Sequence, residues 1–140
     1  MKKTIKSVLH IFLVCILLCM STLSAFADNG SISPRWTNTT DTTMSFVVAD
    51  GEANFYVSYD AREDTFLEAK LIVQIEKKVL GLFWTDAADE WSGYCTDVRG
   101  YFCEYIPVNG KGTYRANFKL TVYGNQGIAD VIEDTIVVKY

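Results

Sequence analysis

The sequence contains a single histidine, His10, and none in the 130 residues that follow it. Without histidine, the later part of the chain has no Ser-His-Asp or Cys-His nucleophile system, no histidine general base and no histidine-ligated zinc. A glycine-rich phosphate loop and the EF-hand spacing are also missing. These absences exclude most catalytic arrangements open to a small protein, and we predict a non-enzymatic chain that needs no cofactor or metal.

The sequence is also short of apolar runs that could cross a membrane. Its main run covers residues 8–20, whereas a membrane-spanning helix needs about 20 apolar residues. Three lysines lie before this run within the first six residues, and Ala25-Phe26-Ala27 follows it as a small-x-small cleavage site. Residues 1–27 therefore have the pattern of a secretory signal peptide. We predict a secreted protein that has no transmembrane segment after cleavage.

Positive charge is scarce in the remaining residues 28–140, which have the usual size of one domain. Loss of the three leader lysines lowers the 13 basic residues to 10, against 17 acidic ones, so the net charge changes from −4 to −7. An acidic surface repels nucleic-acid phosphates and anionic lipid, and we predict neither as a partner. The chain ends at Tyr140 without an apolar tail and basic stop, so we expect release or loose association with the cell wall.

The strongest pattern after the leader is alternation of apolar and polar residues. Residues 28–33 are polar and predict a flexible arm before a single domain at 34–140. Asp50-Gly51 separates two alternating runs, which is a strong hairpin signal. Residues 67–75 contain helix-favouring Leu, Glu, Ala and Lys, but five apolar positions at period two outweigh that propensity and predict a strand.

Seven to eight short antiparallel strands with no convincing helix predict an all-β fold, an immunoglobulin- or fibronectin-III-like β-sandwich. Tyr114, at the start of the second-to-last predicted strand, occupies the place where such sandwiches often hold a corner tyrosine. Gly81 predicts a kink or bulge before Leu82.

Cys95 and Cys103 are predicted to form a disulfide. If Val98-Arg99-Gly100 is a hairpin loop, the two cysteines lie opposite each other on antiparallel strands, with β-carbons about 4.5–5.5 Å apart. Exported proteins commonly use such bridges as structural staples, and no Cys-x-x-Cys context suggests redox activity.

Aromatic and acidic residues are concentrated between positions 83 and 94. Flat aromatic rings stack on sugar C–H groups, and carboxylates accept hydrogen bonds from sugar hydroxyls. The predicted ligand-binding residues are Trp84, Asp86, Asp89, Glu90, Trp91 and Tyr94. The competing interpretation places tryptophans in the core; it is favoured for Trp84, whereas Trp91 is open to both.

Other acids and aromatics leave further interpretations open. The acids of loop 86–90 fit a calcium site or, more simply, a solvated turn. Together with the acids at 60–64 they also allow a hydrolase, which needs two carboxylates about 5–9.5 Å apart. The tyrosines that could form an outer aromatic face, or simply reflect β-propensity, are Tyr101, Tyr105, Tyr123 and Tyr56.

Three short motifs carry a resemblance to a known group of proteins: Pro34-Arg35-Trp36-Thr37-Asn38, Gly112-Thr113-Tyr114-Arg115 and Val122-Tyr123-Gly124. Over residues 33–140 the chain resembles small secreted β-sandwich proteins of Gram-positive gut bacteria, whose role is uncharacterised. The resemblance implies a sandwich-like exported domain, and it supplies no catalytic or binding residues.

These observations predict an exported, non-enzymatic binding module for a cell-wall glycan or an extracellular protein. The alternative is a secreted protein-interaction factor, such as a toxin, inhibitor or adhesin accessory, that uses exposed sheet edges. A small hydrolase dependent on Asp or Glu ranks last.

Overall fold

Eight β-strands and no helix make up residues 36–140, the part of the chain that this computed structural model describes. The predicted signal peptide 1–27 and arm 28–33 lie outside it. The strands are β1 (Thr39–Ala49), β2 (Glu52–Ala61), β3 (Phe66–Val79), β4 (Phe83–Asp86), β5 (Trp91–Cys95), β6 (Arg99–Pro107), β7 (Thr113–Gly124) and β8 (Ala129–Lys139). In this range nothing forms a helix long and apolar enough to cross a bilayer.

The strands form two antiparallel sheets. Sheet 1 has the order β1-β2-β6. Sheet 2 has the order β4-β3-β7-β8, and β5 pairs with β3 on the same edge as β4. The predicted all-β, sandwich-like architecture and the strand number are confirmed, while the immunoglobulin or fibronectin-III subtype stays a prediction.

The core consists of the inward-facing residues of both sheets. Alternation is clearest in β3, where Ala69, Leu71 and Val73 are completely buried and the residues between them are not. The strand predicted there is confirmed. A helix would have spread the same apolar residues around its axis instead of placing them on one face. Leu67 is an exception: the β3–β7 register shifts between Phe66 and Glu68, and Leu67 is exposed.

Two tight turns connect neighbouring strands of the sheets. Asp50 and Gly51 have φ angles of 51° and 81° and close the predicted β1–β2 hairpin, as a two-residue turn of this type requires. The kink predicted at Gly81 is wrong. Gly81 instead lies in a three-residue turn between Val79 and Phe83, where the chain reverses from β3 into β4.

Tyr114 is a corner tyrosine, as predicted. Its side chain is fully buried, and its hydroxyl lies 2.7 Å from the carbonyl oxygen of Asn109 and 2.6 Å from that of Gly110. The single hydroxyl proton can be donated to either carbonyl. This contact fixes the β6–β7 loop against the start of β7.

Replacing Tyr114 with phenylalanine is expected to lower the free energy of unfolding by about 1 kcal/mol, because one buried hydrogen bond is lost while the ring remains. Urea denaturation measures the change. Tyr94→Phe removes a hydroxyl from an exposed tyrosine and serves as the control. Equal stability of Tyr114→Phe and wild type would contradict the assigned role.

The disulfide prediction is wrong in this structure, where Cys95 and Cys103 are both free. Cys95 lies in sheet 2, opposite Ala69, and packs against the core. Cys103 lies in sheet 1, opposite Tyr56, and is exposed. The predicted hairpin does not form, because residues 96–98 cross from one sheet to the other. The two thiols consequently belong to different sheets and lie on opposite sides of sheet 1.

Candidate functional site

The residues predicted to form one binding site are divided between two sides of sheet 2. Trp84 pairs with Lys78 on β3, and Tyr94 pairs with Lys70. Both aromatic residues belong to the outer face, but eight residues of β3 separate their partners, or about 26 Å. The structure therefore does not bring Trp84 and Tyr94 together.

Trp91 belongs to the core side of the sheet. Its ring centroid lies 5.0 Å from that of Phe55 and 6.1 Å from that of Phe102, both in edge-to-face geometry. Gly93 leaves room for the indole, since a β-carbon at that position would lie 2.5 Å from the ring. Of the two interpretations of Trp91, packing against the core is the correct one. The core position favoured for Trp84 is wrong, because Trp84 lies on the outer face of sheet 2.

Trp84 contacts two cations on the outer face. Arg115 lies 4.4 Å from the centre of the indole, and Lys78 lies 5.6 Å from it. Arg115 also donates two hydrogen bonds to Glu76, and Asn117 donates a third. These bonds, that of Arg115 first, hold the pKa of the Glu76 carboxyl below its usual value against the opposing effect of desolvation. The Trp84 indole therefore lies against the Arg115 guanidinium group, which the hydrogen bonds to Glu76 hold in place.

The predicted acidic residues surround a bulge between β4 and β5. Four residues, 87–90, lie opposite only two residues of β3, because the register changes between Glu76–Asp86 and Val73–Trp91. The Gln74 amide donates to Asp86 and to the Ala88 carbonyl, each at 3.2 Å. Asp86, Asp89 and Glu90 line an open hollow of about 620 Å³ there. Within residues 36–140 no three acidic, cysteine or histidine groups are placed to hold a metal ion.

A second candidate site lies on the outer face of sheet 1. Tyr56 and Tyr101 stack there, with ring centroids 5.9 Å apart and an interplanar angle of 22°. Tyr105 lies on the same face, and all three side chains are exposed. The predicted outer aromatic face is confirmed for these three tyrosines. Tyr123 is not part of it, since it belongs to sheet 2.

This surface, which we call the tyrosine face, is uncharged at its centre. Three rows of paired residues cross β1, β2 and β6, and they consist of Thr43-Ser58-Tyr101, Ser45-Tyr56-Cys103 and Val47-Asn54-Tyr105. The first charged row toward one end contains Asp60 and Arg99, which lie 3.8 Å apart. The face therefore offers aromatic rings, hydroxyls and an amide to solvent in an otherwise acidic protein.

A groove of about 390 Å³ lies at the other end of the tyrosine face, within the size range of small-ligand sites. Tyr105, Val47 and Ala49 supply its apolar lining, while its polar lining consists of Ser45, Asp50, Glu52 and Asn54. An aromatic ring, an amide and two carboxylates thus occur together here. Aromatic rings beside carboxylates were predicted for residues 84–94, without an amide.

Sequence reasoning missed the groove because its residues come from β1, β2 and β6. One signal was present: Tyr101, Cys103 and Tyr105 alternate with Phe102 and Ile106, so the tyrosines share the face that the core does not use. The register of β1 against β2, which places Val47 beside Asn54, follows from the two-residue turn at Asp50-Gly51. The pairing of β2 with β6, which places Tyr105 beside Asn54, has no comparable signal in the sequence.

No family model matches the chain, and no curated protein matches it. Among solved structures, it is similar to a catalytically inactive OgpA from Akkermansia muciniphila in complex with an O-glycopeptide, at 12% identity and a TM-score of 0.40. That match covers 79% of this chain, and the chain spans 32% of the OgpA chain. A protein from Archaeoglobus fulgidus is similar at 10% identity and a TM-score of 0.38, with coverage of 73% and 95%.

Proposed function

We propose that this chain is an exported, non-enzymatic binding module and that the tyrosine face binds a neutral extracellular glycan. The groove beside Tyr105 is the observation that carries the proposal. Its aromatic ring can stack on the C–H face of a sugar, while Asn54 and Glu52 are placed to exchange hydrogen bonds with hydroxyls. Tyr56 and Tyr101 extend the aromatic surface toward the next sugar units.

The charge of the surface favours a neutral ligand over a charged one. The three central rows of the tyrosine face contain no charged residue, so neither a cation nor an anion would find a counter-charge there. The two carboxylates of the groove, Asp50 and Glu52, disfavour a phosphorylated or uronic-acid ligand. A neutral polysaccharide of the cell surface meets both conditions.

An extracellular protein is the second candidate ligand for the same face. Tyrosine, serine and asparagine dominate antibody paratopes, because tyrosine gives a large contact area at low entropic cost and the small polar residues adapt their hydrogen bonds. The tyrosine face has that composition.

Strand addition at the β6 and β8 edges has less support. Glu104 on β6 pairs with buried Phe55, and Asp134 on β8 pairs with buried Phe118. Both acids therefore point to the core side of an edge strand while remaining exposed. Inward-pointing charges at edges obstruct pairing with another chain.

Retention on insoluble cell-wall polysaccharides tests the proposal. Each aromatic ring should contribute about 0.5–1.5 kcal/mol, so Tyr101→Ala/Tyr105→Ala is expected to weaken binding by roughly tenfold or more. Tyr94→Ala is the matched control, because it removes an exposed tyrosine from the other sheet. If all three proteins bind equally, the tyrosine face is not the site. If none is retained on any neutral polysaccharide, the glycan proposal fails and the protein candidate takes its place.

A further inference from the structure

Large apolar side chains are exposed together in the turn between β3 and β4. Leu80 and Leu82 are 85% and 72% exposed, and Phe83 is 64% exposed. Val79 completes a stretch whose only other residue is Gly81. We call residues 79–83 the apolar hairpin. Apolar side chains exposed together in this way mark a site of interaction with another molecule or a membrane.

The backbone of the apolar hairpin is strained at Leu80. Its φ angle is 52°, in the left-handed region, where leucine is unfavourable and asparagine or glycine is better tolerated. Because the Leu80 side chain is mostly exposed, burial within this domain does not offset the strain. Leu80 is therefore unfavourable both in its backbone conformation and in its exposure. This indicates that it has a role other than stabilising the fold.

The apolar hairpin projects beyond its neighbours in sheet 2. The last residue of β3 paired with β7 is Lys77, opposite Tyr114, whereas the turn begins three residues later at Leu80. β7 and β8 continue past this pair to Gly112 and Tyr140, which exchange two backbone hydrogen bonds at the level of Val79. At about 3.3 Å per residue, the backbone of residues 80–82 extends roughly 3–5 Å past that end of the sheet. Amphipathic segments that bind membrane surfaces bury their apolar side about 5–10 Å into the boundary between headgroups and acyl chains. Leu80 and Leu82, exposed at this tip, are the side chains placed to reach that boundary.

Cations surround the base of the apolar hairpin. Lys77 and Lys78 immediately precede it, and Lys77 contacts the β6–β7 loop by donating to the Asn109 carbonyl at 2.5 Å. That loop contains exposed Lys111, and Arg115 and Lys139 lie at the same end of sheet 2. Five of the nine lysines and arginines in residues 36–140 thus lie at this end. The acids of that end are Asp50 and Glu52 on the β1–β2 hairpin, Asp86, and Glu76, which is paired with Arg115.

Trp84 directly follows the apolar hairpin and lies beside Lys78 and Arg115. Tryptophan is enriched at the level of lipid headgroups, where its ring is partly apolar and its N–H can reach water or phosphate. Lysine and arginine at that level keep their charges at the phosphates while their methylene chains contact acyl chains. The apolar tip would thus meet the acyl chains, the Trp84 indole the interface, and the cations the phosphates.

We propose that the apolar hairpin inserts into a lipid bilayer containing anionic phospholipids. The net negative charge of the protein predicts repulsion from such a surface, but net charge does not describe one end of the molecule, where cations cluster around apolar side chains. A soluble protein ligand is less favoured, because a projecting tip of three large apolar residues offers little area for a specific interface.

Vesicle co-sedimentation tests the proposal. The probes are vesicles of phosphatidylcholine alone and of phosphatidylcholine mixed equally with phosphatidylglycerol, and the protein is residues 28–140, which contain every described strand and the core. Wild type is expected to bind the anionic vesicles more tightly. Leu80→Asn/Leu82→Ser should weaken that binding by roughly tenfold or more, since both apolar insertions are lost. Leu67→Ser/Ile128→Ser removes two exposed apolar side chains from the opposite end and should bind like wild type.

The single variant Leu80→Asn separates membrane binding from folding. It should melt at a higher temperature than wild type, because asparagine tolerates the left-handed backbone, and yet bind anionic vesicles more weakly. Brominated acyl chains should quench the fluorescence of Trp84, and Trp84→Phe should lose most of that quenching.

Failure to sediment with anionic vesicles overturns the proposal, as does equal loss of binding in the hairpin variant and its control. If ultracentrifugation shows self-association that Leu80→Asn/Leu82→Ser abolishes, without vesicle binding, the hairpin contacts a second copy and the proposal is wrong. Tyr101→Ala/Tyr105→Ala should bind vesicles normally, so this result and the glycan result are independent.

Discussion

Replacing Trp91 with alanine is expected to destabilise the domain by about 3 kcal/mol, because a large aromatic side chain is removed from between the sheets. The indole packs edge-to-face on Phe55 and Phe102, and these contacts join β5 of sheet 2 to β2 and β6 of sheet 1. In a domain of about 100 residues this loss lowers the melting temperature by more than about 12 °C.

Trp84→Ala is the matched comparison for Trp91→Ala. Trp84→Ala removes the contacts of the indole with Arg115 and Lys78 at the surface. Such cation–π contacts contribute about 0.5–1 kcal/mol each at exposed sites. Thermal melts of the two variants followed by circular dichroism should therefore differ clearly. Equal losses of stability would show that the assignment of Trp91 to the core and Trp84 to the surface is wrong.

Replacing Asp130 with alanine is expected to cost about 3 kcal/mol or more. The Asp130 carboxylate is buried and accepts hydrogen bonds from the backbone N–H groups of Thr37, Asn38 and Thr39, at 2.9, 2.6 and 2.8 Å. Hydrogen bonds to a charged group contribute about 1.5–3 kcal/mol each, and the variant leaves the N–H groups without an acceptor. The chain entering β1 of sheet 1 would then lose its attachment to β8 of sheet 2.

The same contact makes stability depend on pH. Burial alone would raise the pKa of Asp130, but the three backbone hydrogen bonds outweigh it and hold the pKa below the usual value. A depressed carboxyl pKa adds stability that is fully present above the unfolded pKa of about 3.9 and is lost as the pH falls through the folded pKa. Asp130→Asn should therefore flatten the decline of wild-type stability below pH 4. Urea denaturation between pH 2.5 and 7 measures it, and an unchanged slope would contradict the assignment.

Gly124→Ala tests the neighbouring part of this attachment. A β-carbon on Gly124 would lie within 2.3 Å of the Asn38 side-chain oxygen, inside contact distance. Asn38 is itself buried and donates to the Ile128 carbonyl at 2.9 Å. The variant must displace this amide or distort β7. We expect a clear loss of stability in urea. The loss should exceed that of Gly127→Ala, which meets no neighbouring atom but places alanine at a φ angle of 76°, at a cost of about 1–2 kcal/mol.

The strands were predictable because alternation is a local property. Residues 53–59, 69–75 and 114–120 each alternate with the same period, and burial follows it without information from the other sheet. The turn at Asp50-Gly51 and the corner at Tyr114 are also local, since each depends on a few neighbouring residues.

One failure concerns residues whose partners lie elsewhere in the chain, and another concerns a spacing that the sequence already shows. The cysteine prediction assumed that β5 and β6 form a hairpin, but residues 96–98 cross between the sheets, with the Asp97 carbonyl accepting a hydrogen bond from the Tyr59 hydroxyl.

Trp84 and Trp91 are an odd number of positions apart, so period two alone places them on opposite faces of a strand. The bulge at 87–90 adds two residues and preserves that relation.

Glycan binding by the tyrosine face is best tested by an NMR titration of isotopically labelled residues 28–140 with neutral oligosaccharides of cell-surface polysaccharides. If the tyrosine face is the binding site, the oligosaccharide should change the chemical shifts most at the amides of Glu52, Asn54 and Tyr105. These changes should be absent from the Tyr105→Ala variant. Chemical-shift changes centred instead on residues 84–94, or none with any neutral oligosaccharide, would show that the tyrosine face is not a glycan site.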